Sequence, residues 1–207
     1  MSDIDPSTAA TEASPPPDAG RILIPLAWAA IRATLGEAPA FPSDKPPWLL
    51  APGASFVTLT EGRSLRGCIG SLEARQPLID DVRANAVAAA MHDPRFPPLD
   101  ALELDQVAIE VSVLSPPSRL EAGSLAEAYD SLRPGIDGVI LEVGNRRRAT
   151  FLPQVWAELP HPADFLRHLW LKAGVEPGVW HAGTRLQTYT VHAWQERPAG
   201  RGSGERR

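Results

Sequence analysis

The chain is expected to fold as α/β in the loose, α+β sense, with a mixed, largely antiparallel sheet flanked by helices. Three observations predict this. "DQVAIEVSVLSPP" at 105–117 has strand period, apolar stripes at helical spacing recur at 21–36, 77–93 and 161–174, and two strand–turn–strand patterns replace any long βαβ rhythm.

In the first stripe Leu23, Leu26, Ala27, Ala30, Ile31 and Leu35 share a helix face, Pro25 sits near the start, and Gly36 suits a C-terminal cap. "EAPAFPSDKPPWLLAPG" reads as loop because of its prolines. Val57 and Leu59 then alternate with Phe56, Thr58 and Thr60, and Glu61-Gly62-Arg63 turns the chain into "SLRGCIG", a hairpin. Pro77 opens a helix with Asp80 and Asp81 in its first turns, where the helix dipole favours them, and Pro94 ends it. In the strand that follows, Val107, Ile109, Val111 and Val113 line one face, and Ala108, Glu110, Ser112 and Leu114 the other. A short helix around 124–131 and the turn "RPGIDG" lead to a second hairpin, "VILEVGNRRRATFL". "HPADFLRHLWLKAG" is an amphipathic helix that buries Phe165, Leu166, Leu169 and Ala173 and ends at Gly174, and "RLQTYTVHAW" is expected as one final strand.

The 207 residues are 43% hydrophobic and 22% charged, enough for one core or for two lobes. A formal net charge of −5 argues against a general nucleic-acid binder. One cysteine excludes an intramolecular disulfide framework and a multi-cysteine metal site, and fits a reducing compartment. The N-terminus lacks the basic and apolar regions of a signal peptide, and no apolar run is long enough to span a membrane, so a cytoplasmic protein is expected. Residues 1–19 and 197–207 are small, polar and rich in proline or glycine, and read as disordered or flexible tails.

Chemistry concentrates at that lone thiol. If 64–69 is a regular strand, Arg66 and Cys68 share a face while Leu65 and Ile69 take the other. A guanidinium beside a thiol stabilises the thiolate, and Gly67 and Gly70 let a ligand approach the backbone. Cys68 is then a partly exposed nucleophile or part of an anion-holding turn. Alternatively it is a buried apolar filler, as free cysteines usually are. Glu110 is a base near a bound substrate, or else a carboxylate that anchors Arg66 or simply part of a solvated face, the more common arrangement in a sheet. Arg95, between prolines in "HDPRFPPL", is aimed at a carboxylate or phosphate, or locks its loop with a salt bridge. The five histidines are scattered without metal-ligand spacing, and no phosphate-loop or dinucleotide pattern occurs, so neither metal nor cofactor is expected. "GNRRRA" at 144–149 is a basic hairpin tip with no interleaved aromatics, which makes nucleic-acid contact the weaker reading of it.

"LRGCIG", "HDPRFPPL", "IEVSVLSPP", "GIDGVILEVG", "FLPQVW" and "FLRHLWLKAG", in that order, resemble the successive motifs of the AMMECR domain family, over roughly 20–196. "NRRRAT" departs from the small, glycine-bearing turn usual there. The resemblance implies two unequal lobes, the larger 20–119 with 177–196 and the smaller 120–176, and a cleft between them that the Arg-Gly-Cys-Ile-Gly segment faces. It also implies a pathway shared with a Memo-type protein and a radical SAM protein, without supplying a reaction. Two functions follow as expectations. One is a catalytic or ligand-processing component using Cys68, with Arg66, Gly67, Gly70, Arg95 and Glu110 holding the ligand. The other is a non-catalytic adaptor that binds a small anionic metabolite or a partner.

Overall fold

The computed structural model describes residues 14–196, so most of the two expected tails lies outside the described residues. In chain order the elements are α1 (Gly20–Thr34), α2 (Pro47–Leu50), β1 (Pro52–Gly53), β2 (Ser55–Glu61), β3 (Ser64–Gly70), β4 (Gln76–Pro77), α3 (Leu78–Met91), β5 (Val107–Leu114) and β6 (Ser118–Leu120). They continue with α4 (Leu125–Ser131), β7 (Gly138–Val143), β8 (Arg147–Phe151), α5 (Pro162–Lys172), β9 (Thr184–Tyr189) and β10 (Val191–Gln195). The α/β class is as expected: two four-stranded sheets, ordered β10-β5-β2-β3 and β6-β9-β7-β8, are flanked by helices. None of the described helices is long and apolar enough to cross a membrane.

The chain divides into two compact units, the first running to Val113 and resuming at Ala193, the second spanning Leu114–His192. In the first unit β2 pairs antiparallel with β3 and with β5. Val57, Leu59, Ile109 and Val111 project from one face of that sheet into a core shared with Leu23 and Ile31 of α1 and Val82 and Ala86 of α3. The helices are amphipathic at the predicted spacing, and burial of those stripes holds them to the sheet. The second unit has its own core around Leu141, Trp156, Phe165 and Leu169, where the Trp156 and Phe165 rings stack with centroids 3.8 Å apart.

Four expectations need correction, and a fifth, Asp81 in the first turn of α3, holds and is extended. "RLQTYTVHAW" is two strands, because Thr190 leaves the β9 ladder to exchange hydrogen bonds with Ser115: Ser115 N donates to Thr190 O, and Thr190 N to Ser115 Oγ. β9 therefore pairs with β6 and β7, and the second unit extends through Leu114–His192 instead of stopping at 176. The proline-rich loop contains a helical turn, α2, which buries Trp48 and Leu49; proline is well suited to its first position. Residues 14–19 lead directly into α1, with Ala19 buried and the Trp194 indole donating to Pro17 O at 2.8 Å. Asp81 does more than meet a helix dipole. Its buried carboxylate accepts from Ser55 N at 2.8 Å, Ser55 Oγ at 2.7 Å and Asn85 Nδ2 at 2.9 Å, tying α3 to the start of β2.

Candidate functional site

Which way Cys68 faces is decided by a β-bulge. Next to the turn, Glu61 opposes Ser64 and Thr60 opposes Leu65; farther along, Leu59 opposes Gly67 and Thr58 opposes Cys68. Arg66 is the extra residue. A regular hairpin from the same turn would set Cys68 opposite Val57, and directly opposed residues share a face. Val57 is fully buried on the core face, so the regular register would send the sulfur inward. The bulge moves it by one place, to the face of Thr58, where Cys68 is half-buried and its sulfur accepts a hydrogen bond from Thr58 Oγ1 at 3.3 Å.

The same bulge separates Arg66 from the thiol. Arg66 is buried, and its Nε and Nη2 fork onto Glu103 at 2.9 and 3.1 Å while Nη1 donates to Pro97 O at 3.0 Å. Glu103 also accepts from the Asp100 amide, completing a capping box on the 3-10 turn Ala101–Glu103. Arg66 chiefly, and the Asp100 amide, hold the Glu103 carboxyl below its ordinary value. The expectation that strict alternation keeps Arg66 beside Cys68 fails because the strand is not regular there.

The cation nearest the thiol residue is Arg95. Asp93, immediately after α3, is buried and accepts from the Cys68 amide at 2.8 Å. Its two oxygens also receive Arg95 Nε at 2.9 Å and Nη2 at 2.7 Å, and the Arg95 amide at 3.1 Å. Arg95 Nη2 reaches Cys68 O at 3.1 Å as well. One carboxylate thus fixes both the thiol's backbone and the guanidinium. The Arg95 side-chain bonds hold the Asp93 carboxyl far below the usual carboxylate range, with burial opposing and the two amides helping. Asp93 in turn raises Arg95, and the Cys68 thiol adds to that. Arg95 is half exposed, lies over the Phe96 ring at 5.5 Å, and its Nη1 makes no hydrogen bond among the described residues.

Glu110 opposes Thr58 on its other side, so Cys68, Thr58 and Glu110 form one row across three strands on the outward face. Two strand spacings, about 10 Å, separate Glu110 from the cysteine. Glu110 is therefore not a base in contact with the sulfur, nor does it anchor Arg66; its Oε1 accepts from Ser112 Oγ at 3.4 Å. Gly67 and Gly70 have their space filled from within the protein. A Cβ at Gly67 would collide with the Ala89 carbonyl oxygen of α3, and one at Gly70 with the Phe56 ring. The Cys68 amide, engaged by Asp93, is not available as an oxyanion donor.

Asp93 and Thr58 are the site residues that sequence reasoning missed. The signal for Asp93 was present in "DPR", a carboxylate two residues before the arginine it orients. Thr58 could be placed only with the bulge known. Among the described residues no group of three or more His, Cys, Asp or Glu side chains is arranged to hold a metal ion.

A family model described as AMMECR1 matches residues 24–194. A protein of Methanothermobacter thermautotrophicus is 39% identical over 183 residues, covering 86% of this chain and 95% of its own. A Thermofilum pendens protein is 37% identical, covering 86% and 89%. The crystal structure of an uncharacterised Pyrococcus horikoshii protein, PH0010, superimposes with a TM-score of 0.71 at 35% identity, covering 86% of this chain and 91% of that one.

Proposed function

The chain belongs to the AMMECR1 family, and from that premise we propose that it is a cytoplasmic ligand-processing component whose working groups are the Cys68 thiol and the Arg95 guanidinium. The observation that carries this reading is the shared carboxylate, Asp93, which fixes the thiol's backbone and leaves Arg95 Nη1 open beside it. A small anionic ligand places its acid group on Nη1 and an electrophilic carbonyl carbon at Sγ. The thiolate adds to that carbon, the carbonyl π pair moves to oxygen, and water supplies the proton, giving a reversible thiohemiacetal without a further reactant. Thr58 Oγ1, donating to Sγ, holds the sulfur in place on the outward face. Glu110, at the far end of the row, selects for a donor group about 10 Å from the sulfur. Arg66, Gly67 and Gly70 act by position, holding β3 against α3 and the 3-10 turn.

The family resemblance also supports a pathway shared with a Memo-type protein and a radical SAM protein. Native mass spectrometry of the full chain purified from its own cells tests the proposal. A mass increment that thiols release, and that Cys68→Ala abolishes, is the expected result. If wild type and Cys68→Ala both carry the same non-covalent ligand and no adduct, the non-catalytic adaptor reading replaces this one.

A further inference from the structure

The two four-stranded sheets leave four edge strands, β3 and β10 in one, β6 and β8 in the other. An edge is a row of backbone groups that another chain can pair with unless something blocks it. Three of the four are blocked. At β3, Asp93 accepts from the Cys68 amide and Arg95 donates to the Cys68 carbonyl, so side chains take the places a further strand would occupy. At β8, Lys172 Nζ donates to Thr150 O at 3.0 Å. β6 has only three residues and follows Pro116 and Pro117. β10, "VHAWQ", contains neither proline nor a charged residue, and no side chain among the described residues bonds the backbone of Ala193 or Gln195.

One bond fixes which backbone groups that edge presents. Glu196 N donates to Ile109 O of β5 at 2.9 Å. Backbone groups along a strand alternate sides, so those of Ala193 and Gln195 point away from β5. Both residues are exposed. We propose that this edge pairs antiparallel with the same edge of a second copy of the chain. Ala193 then faces Gln195 of the second copy and exchanges two hydrogen bonds with it, and the two-fold axis repeats the pair to give four. Charge selects a second copy over other extended segments. The chain carries a net −5, which opposes self-association, yet this strand is uncharged and so meets its own copy without repulsion. Glu196, the adjoining acid, is held by Trp28, whose Nε1 donates to Oε2 at 3.2 Å. The small side chain of Ala193 leaves room for that of Gln195 across from it. An axis perpendicular to the sheet keeps both outward faces on one side. The result is one eight-stranded sheet with a Cys68 on each outermost strand, seven strand spacings or about 33 Å apart.

Sedimentation equilibrium of the full chain tests the pairing. Four backbone bonds make a small interface, so a dimer with a dissociation constant of about 10 to 100 µM is expected over a range of about 1 to 500 µM. Ala193→Pro removes an outward N–H and no bond to β5, a change an edge strand accepts, and should weaken association at least about tenfold. Ala193→Lys combined with Gln195→Lys should weaken it without altering the backbone, which keeps the test sound if the proline variant melts early. Ala193→Lys combined with Gln195→Glu should associate again, because the register then sets opposite charges face to face. Amide hydrogen exchange at Ala193 and Gln195 should slow as concentration rises. A chain that stays monomeric throughout the range, or a dimer that the proline and double-lysine variants leave intact, would overturn the proposal. So would a lysine–glutamate variant as monomeric as the double-lysine one. Protection of the two amides in a monomer, independent of concentration, would reassign the edge to the chain's own terminal residues.

Discussion

Two arginine–carboxylate pairs brace the thiol strand, and they are built as opposites. In one, the cation is inside and the acid faces water: the Arg66 side chain is 9% exposed and its partner Glu103 30%. In the other, the acid is inside and the cation faces water: Asp93 is 1% exposed and Arg95 53%. A buried guanidinium with all three nitrogens bonded, as in Arg66, has nothing left to offer a ligand. A buried carboxylate that orients an exposed guanidinium leaves that guanidinium aimed and available. The inversion marks the Arg66 pair as scaffold and the Arg95 pair as site, against the expectation that Arg66 is the thiol's cation.

The contrast can be broken at its root or one pair at a time. Gly67→Ala attacks both, because the new methyl must displace the Ala89 carbonyl and lift β3 from α3. We expect the largest effect here, a loss of about 3 kcal/mol in chemical denaturation, at the upper end for forced overpacking. Arg66→Met breaks the scaffold pair alone. It strands Pro97 O and Glu103, and since Glu103 keeps access to water the loss should be about 2 kcal/mol, with Cys68 reactivity unaltered.

Acid should reveal both pairs together. The Asp93 and Glu103 carboxyls are both depressed in the folded protein. The stability they contribute is therefore complete above the ordinary carboxylate range near pH 4 and is lost as pH falls through their lowered values. Denaturation midpoints should be flat from about pH 7 to 5 and fall below about pH 4. Asp93→Asn should flatten part of that fall, and a profile identical to wild type would refute the role given to Asp93. Smallest in stability is Arg95→Gln, because Asp93 keeps the Cys68 and position-95 amides; its effect belongs to chemistry at the thiol.

Helices and strand faces were readable because periodicity encodes burial, as Val57, Leu59, Ile109 and Val111 illustrate. The thiol's orientation was not, because one extra residue inverts every inference from alternation and no residue type announces it. In the sequence Gly67 offers room for a ligand, yet the same lack of a Cβ serves helix contact. For Asp93 the sequence "DPR" carries a sign of the bond to Arg95 but none of the bond to a backbone amide 25 residues away. The break at Thr190 was hidden likewise, since both halves of "RLQTYTVHAW" keep strand composition while joining different sheets.

The bulge turns Cys68 outward beside an oriented Arg95, and paired alkylation tests this directly. Iodoacetate and iodoacetamide differ in charge and hardly in size, so their rate ratio on the folded protein, referred to free cysteine, reads the local cation. The ratio should favour iodoacetate by roughly threefold to tenfold, and return to the free-cysteine value in Arg95→Gln but not in Arg66→Met. A thiol that neither reagent modifies until the protein unfolds, or a ratio that Arg95→Gln leaves unchanged, would contradict the account.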